Sequence, residues 1–168
     1  MSRSIEIPYI FIKLRRIILD IWSTHLLEGE DMFPENTRVL IVDDLKTIRN
    51  ILSEILKKIG LTNIDQCGDG KQALIRLKEA AQEGNPFGLI ICDWNMPELT
   101  GLELLNAKNN DPELKSTPFL MVTIESEKDY VLKAIAMGVD DFVVKPFNEQ
   151  IITKKLKNVW ERAQARQA

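Results

Sequence analysis

Four short stretches of this chain stop at residues able to do chemistry. The run at 39–42 ends in Asp43-Asp44, that at 89–92 in Asp93, that at 118–122 in Thr123, and that at 141–144 in Lys145-Pro146. An unbroken apolar run of this length reads as a strand buried on both faces, as in a parallel sheet. In such a sheet all carboxyl ends of the strands lie on one edge, and open α/β folds bind ligands there. If these strands are neighbours, three carboxylates, a hydroxyl and an ammonium group converge on one shallow site. Carboxylates so close repel one another and need a cation to stay ionised together. Oxygen donors in an incomplete cage suit Mg²⁺, which keeps waters and accepts one or two carboxylates plus a substrate phosphate. Lys145 adds a compact positive charge, and Thr123 a hydrogen-bond donor. A carboxylate nucleophile, divalent ion, lysine and hydroxyl are the equipment for in-line phosphoryl transfer to an aspartate, with Asp93 attacking phosphorus.

Each part alone has a plainer reading. Asp-Asp after a strand is commonly a solvated loop or a helix cap. Asp93 can simply begin the turn made by Asn95, Met96 and Pro97. Thr123 can cap its strand, and Lys145-Pro146 can be an ordinary turn, although Lys-Pro is also a place for a cis peptide that aims the lysine. What argues for a site is the occurrence of the whole set at four strand ends.

The segments between the strands must position them. Ile48, Ile51, Leu52, Ile55, Leu56 and Ile59 form a helix face stopped by Gly60. A weaker strand runs through 63–67, followed by the turn Gly68-Asp69-Gly70. Ala73, Leu74, Leu77 and Ala81 mark a second helix, ended by Gly84-Asn85-Pro86. After Pro97 a loop containing Gly101 opens a short helix at 102–107. Ser126 is a plausible N-cap for a helix carrying Val131, Ile135 and Ala136 up to Gly138. Ile151, Ile152, Leu156, Val159 and Trp160 mark the last helix. Five strands alternating with five helices imply a parallel sheet with helices on both faces and right-handed crossovers.

Bulk properties narrow the function further. The 168 residues suffice for one domain and a modest appendage. A net charge of −3 implies no general affinity for nucleic acid. No apolar run approaches the ~18 residues of a membrane span. If Cys67 and Cys92 lie on strands separated by a third, they are on the order of 10 Å apart, too far for a disulfide. Buried thiols fit a reducing compartment, so a cytoplasmic location is expected. His25 is the only histidine and has no polar cluster near it in sequence. Residues 1–36 stand apart as an N-terminal extension, with residues 37–168 as the main domain. Ile10, Leu14, Ile17, Ile18, Ile21 and Trp22 recur at helical spacing, with Lys13, Arg15, Arg16 and Asp20 between them. This amphipathic pattern fits a membrane-surface or partner-binding helix, a helix packed on the main domain, or a misassigned start with Met32 as the true one. It fails as a signal peptide, because the basic cluster follows the first apolar run.

These residues resemble the receiver domain of two-component response regulators over roughly 37–163. Asp43-Asp44, Asp93, Thr123 and Lys145-Pro146-Phe147 match the family pattern in order and spacing. The runs Asp93-Trp-Asn-Met-Pro97, Gly101-Leu-Glu-Leu-Leu105, Met121-Val-Thr123 and Val143-Val-Lys-Pro-Phe147 are most similar to the chemotaxis regulators of that family. The resemblance implies a doubly wound (βα)5 flavodoxin-like sandwich with a five-stranded parallel sheet in order 2-1-3-4-5. It implies Asp93 as phosphoacceptor and Mg²⁺ held by Asp44, Asp93 and the backbone carbonyl of Asn95, with Asp43 acting largely through water. Lys145 would pair with the phosphoryl group or with Asp93. Thr123 would bond the phosphoryl group and couple it to a switch aromatic, Phe142. The implied donor is a sensor histidine kinase or a small phosphodonor.

The expected function is a stand-alone phosphorylation switch, not a turnover enzyme. It would act on a downstream protein, such as a flagellar motor switch, because no DNA-binding or enzymatic domain follows Trp160. The implied binding surface is the fourth helix, fifth strand and last helix, around Lys128, Lys133, Phe142 and Lys154. A phosphorelay intermediate shares the same chemistry. An aspartyl-phosphate phosphatase fits less well, since such enzymes want an acid where Asn95 stands. Asn95 and Glu125 match the chemotaxis regulators at positions tied to loss of the phosphoryl group, which implies a short-lived phosphorylated state. Two positions depart from that pattern. Phe142 replaces a tyrosine and so lacks its hydroxyl. Ile124 replaces a usually small residue and should crowd the phosphoryl approach. Ile124→Ala should therefore react faster with small phosphodonors, and an unchanged rate of phosphorylation by acetyl phosphate would refute the crowding.

Overall fold

The computed structural model describes residues 32–124 and 128–167. The expected amphipathic helix, His25, Glu125 and the proposed Ser126 cap lie outside the described residues. Five strands, β1 (Val39–Val42), β2 (Ile64–Cys67), β3 (Leu89–Asp93), β4 (Phe119–Thr123) and β5 (Asp141–Val144), form one sheet. All pairs are parallel and the order is β2-β1-β3-β4-β5. This is the doubly wound α/β fold expected. Helices α1 (Lys46–Lys58), α2 (Gly70–Gln82), α3 (Gly101–Asn109), α4 (Lys128–Ala136) and α5 (Glu149–Gln167) link and follow the strands.

Alternation along the strands explains the layering. Leu40, Val42, Ile90, Cys92, Phe119 and Met121 face one core, with Ala73 and Leu77 of α2 and Leu104 and Leu105 of α3. Val39, Ile41, Leu89, Ile91, Leu120 and Val122 face the other, with Leu52 and Leu56 of α1 and Ile152 and Leu156 of α5. The strands β1, β3 and β4 are buried throughout because both faces are covered. The edge strand β2 is weaker: Gln66 is exposed and Asp65 takes Arg38 (2.6 Å) and Arg76 (3.3 Å) as partners. Cys67 and Cys92 are buried free thiols on strands either side of β1. The compact unit begins at Phe33, which is buried with its ring centroid 5.0 Å from that of Trp160.

Local chemistry sets the helix starts. Thr100 and Glu103 make a reciprocal capping box at α3, which anchors the helix directly after the Asp93 turn. Gly101 has no tolerable alternative, since a Cβ there would stand 2.0 Å from the Asp93 carbonyl oxygen. Asp69 caps α2 by accepting from the Gln72 N–H at 2.8 Å.

At the amino edge of the sheet lies a buried charge network. The Asp140 carboxylate accepts from the Phe119 N–H (2.7 Å) and pairs with Arg166 (2.8 Å), while Arg162 donates to the Asp140 carbonyl. Close by, Lys108 is 1% exposed, and among the described residues its ammonium donates to Asn109 Oδ1 (3.0 Å) and the Lys115 carbonyl (2.9 Å). Burial lowers its pKa from 10.5 to about 8, with Asp140 opposing and Arg166 adding to the shift. Across the window from about 8 to 10.5 the unfolded chain holds more protons than the folded one, so stability from this residue rises with pH. Denaturant titrations should show wild type gaining roughly 1–3 kcal/mol on Lys108→Met across that window. Parallel pH profiles for the two proteins would contradict it.

Candidate functional site

The parallel topology brings the expected groups to one edge. Asp43 follows β1, Asp93 ends β3, Thr123 ends β4 and Lys145 follows β5. Register aligns these ends: Val42 pairs with Cys92, Asp93 with Val122, and Thr123 with Val144. The Lys145 N–H donates to the Thr123 carbonyl at 2.7 Å, which continues the β4–β5 ladder one residue past the strand. The Lys145-Pro146 peptide is cis.

From there the Lys145 ammonium is shared between two carboxylates, Asp43 Oδ2 at 2.7 Å and Asp93 Oδ1 at 2.8 Å. The remaining oxygens are also engaged. Asp43 Oδ1 accepts from the Leu45 N–H at 2.8 Å, and Asp93 Oδ2 from the Asn95 N–H at 3.1 Å. The Asp43 side chain is 1% exposed and that of Lys145 12%, so these pairs are shielded from bulk water. Asp44 is exposed beside them. Sequence reasoning paired Lys145 with Asp93; the structure adds Asp43, the more buried partner.

The charges do not balance. Burial raises the Asp93 pKa, Lys145 pulls it back by hydrogen bond and charge, and Asp43 and Asp44 push it up again. For Lys145, burial works against the charge, but its bonds and charge interactions with Asp43 and Asp93 outweigh this and raise its pKa. The Lys145 direction reflects the negative charge around it, whereas the rise at Asp93 comes first from burial, with Asp43 and Asp44 adding to it. Burial likewise raises Cys92 well above the usual thiol range, with Asp93 and Asp43 adding to it. Its thiol donates to the Asp93 carbonyl at 3.1 Å and remains a neutral core group.

The donor set fits Mg²⁺ by its chemistry. Asp43, Asp44, Asp93 and the Asn95 carbonyl supply only hard oxygen ligands. Among the described residues no three acid, imidazole or thiol side chains already enclose a metal position. An incomplete set of this kind leaves room for waters and a phosphate oxygen, which Mg²⁺ prefers to a closed protein cage.

Sequence reasoning missed Arg49. From α1 its Nη1 donates to the carbonyls of Asp43 (2.6 Å) and Asp44 (3.3 Å), which ties down the loop carrying both acids. Its Nε is buried without a partner. The only signal was an arginine one turn into a helix that follows an acidic pair. Thr123 is buried and lines a small apolar cavity with Trp94, Met121, Tyr130, Val131, Ala134 and Phe142. Phe142 is thus brought to Thr123 and not to the carboxylates. Trp94 and Tyr130 meet edge to face, with centroids 5.5 Å apart and planes at 81°. Ile124 is 67% exposed at the rim of the edge.

The Asp93 shift has a measurable consequence. Unfolded, this acid takes its proton near 3.8; folded, it does so at higher pH. Between the two the folded state holds more protons, so stability is gained as pH falls through the folded pKa and levels off near 3.8. With divalent ions chelated, wild type should gain stability on acidification relative to Asp93→Asn. A constant difference from neutrality to pH 3.8 would remove the inferred shift.

Comparison with known proteins agrees with this geometry. Residues 39–157 match the family described as the response regulator receiver domain. Over 125 residues the chain is 42% identical to the chemotaxis protein CheY of Pseudomonas aeruginosa, covering 74% of this chain and 97% of that protein. It is 36% identical over 133 residues to chemotaxis protein CheY-3 of Vibrio cholerae, covering 79% and 98%. The solved structure of the chemotaxis response regulator CheY4 of Vibrio cholerae is similar with a TM-score of 0.66 at 35% identity, covering 74% and 98%. The family match spans all five strands and every strand end that carries the charge cluster, and the chain belongs to the response regulator receiver family.

Proposed function

We propose that this protein is a phosphorylation switch in chemotaxis or motility signalling, with Asp93 as phosphoacceptor and a sensor histidine kinase as donor. The observation that carries the reading is the Lys145 ammonium shared by the buried carboxylates of Asp43 and Asp93 at the carboxyl edge of the sheet. A second ligand for that ammonium is then at hand when a phosphoryl group arrives. The similarity to the chemotaxis proteins named above, over nearly their whole length, supports the motility setting. A cytoplasmic location follows from the same reading.

In the proposed reaction an Asp93 carboxylate oxygen forms a bond to phosphorus. The bond from phosphorus to the donor, a histidine nitrogen or the acyl oxygen of acetyl phosphate, breaks in line. The leaving group departs with that electron pair. When bound, Mg²⁺ neutralises charge on the phosphoryl oxygens and on the acid cluster. Asp43, Asp44, Asp93 and the Asn95 carbonyl would hold it. Lys145 turns from its carboxylate partners toward the new anionic oxygens, and the Thr123 hydroxyl donates to one of them. Phe142 responds to Thr123 through the cavity they share. The output is a changed surface over α4, β5 and α5 for a downstream protein. On α4, Leu132 and Ile135 are exposed beside Lys133, a mixed apolar and basic face suited to an amphipathic partner segment.

Incubation with acetyl phosphate should give Mg²⁺-dependent, hydroxylamine-sensitive labelling of the wild type. Asp93→Asn should fall to background under the same conditions. Equal labelling of the variant would move the phosphoacceptor elsewhere, and no labelling from either donor would leave the protein as a constitutive binding module.

A further inference from the structure

The Phe142 ring has two unlike neighbours. It lines the apolar cavity shared with Thr123, Trp94 and Tyr130. Over its face the Lys155 ammonium lies 4.9 Å from the ring centroid, within cation–π range. Lys155 is not free to leave. Its Nζ donates to Asp141 Oδ1 at 2.7 Å, and Asn158 Nδ2 donates to Asp141 Oδ2 at 3.0 Å. The same Asp141 Oδ1 accepts the Phe142 N–H at 2.8 Å. One largely buried carboxylate therefore fixes both the backbone of the aromatic and the cation above its face.

We propose that Asp141 and Lys155 are positioning residues that latch Phe142 in its resting place, against its movement toward Thr123. The inference rests on the reading of Asp93 as phosphoacceptor and Phe142 as its responder. A phenyl ring has no hydroxyl whose hydrogen bonds could favour the resting position, and its apolar body favours the cavity. A cation over its π face supplies a preference for the resting position, and Asp141 keeps the cation there. If the ring turns into the cavity, Lys155 keeps its carboxylate but loses the ring, so the resting position is favoured by the difference. The latch thus supplies a bias that a hydroxyl would otherwise give. A bias toward the resting form lowers the fraction of molecules ready to be phosphorylated and slows the reaction in proportion.

The test combines a contact readout with a rate. In the resting protein the Lys155 ε-methylene protons should be shifted upfield by the ring current, and Phe142→Leu should return them to the usual lysine position. Lys155→Gln, which can still bond Asp141 but carries no charge, should be labelled by acetyl phosphate roughly two- to fivefold faster than wild type. Lys155→Arg keeps a cation over the ring and should retain the wild-type rate. In the Phe142→Leu background, Lys155→Gln should have no effect on rate. An unshifted Lys155 methylene, an unchanged rate in Lys155→Gln, or the same acceleration without the ring would each overturn the latch. If wild type itself takes no label, the phosphoacceptor reading fails and the switching role falls with it, while the methylene shift still decides whether the ring contact exists.

Discussion

The bridge from Lys145 to Asp43 and Asp93 is the contact on which the site depends, and it exists only because of strand order. β5 lies two strands from β3 and three from β1, roughly 10 and 15 Å at ordinary sheet spacing. A short side chain on β5 cannot cross that distance. A lysine leaving the strand end, with its backbone still tied to Thr123, can reach Asp93 and the inward-facing Asp43 at once. Exchanging β1 and β2 would carry Asp43 one strand further from Lys145 and break the shared bridge.

That bridge is incomplete by design of the charges around it. One ammonium faces two buried carboxylates and an exposed third, so the cluster holds its lysine firmly, while burial first and the neighbouring acids after it raise the Asp93 pKa. Such a site is poised to accept positive charge and then an anion that brings its own oxygens. Structural parts hold it still while this happens. Arg49 grips the carbonyls of the acidic loop, and Gly101 allows α3 to begin against the Asp93 carbonyl. The two cores on either face of the sheet make the strand ends rigid enough for distances of a few tenths of an ångström to matter.

The two edges of the sheet divide the work. The carboxyl edge gathers unbalanced charge at Asp43, Asp93 and Lys145. The amino edge buries Lys108 and Asp140 in contacts that reach α3, β4 and the end of α5. Between them, β5 carries both kinds of residue. Asp141 at its start holds Lys155, and Phe142 beside it faces the cavity behind Thr123. β5 thus links the carboxyl edge to α4 and α5.

Much of this was legible in the chain alone. Buried parallel strands announce themselves as apolar runs, and the residue after each run must sit on one edge. Asp43, Asp93, Thr123 and Lys145 could therefore be placed on one edge from the sequence, and their adjacency followed only from the resemblance to the receiver family. The helices followed from periodicity, because one apolar stripe must meet a sheet face. What periodicity cannot report is which acceptor a long side chain chooses. Lys145 takes Asp43 as well as Asp93, Arg49 reaches backward from a helix to two carbonyls, and Lys155 lies over Phe142 from a different element. The burial of Lys108 is likewise invisible to composition, since a lysine on a short helix reads as a solvated charge. These contacts join residues far apart in sequence through flexible stems, so only the packed tertiary structure decides them.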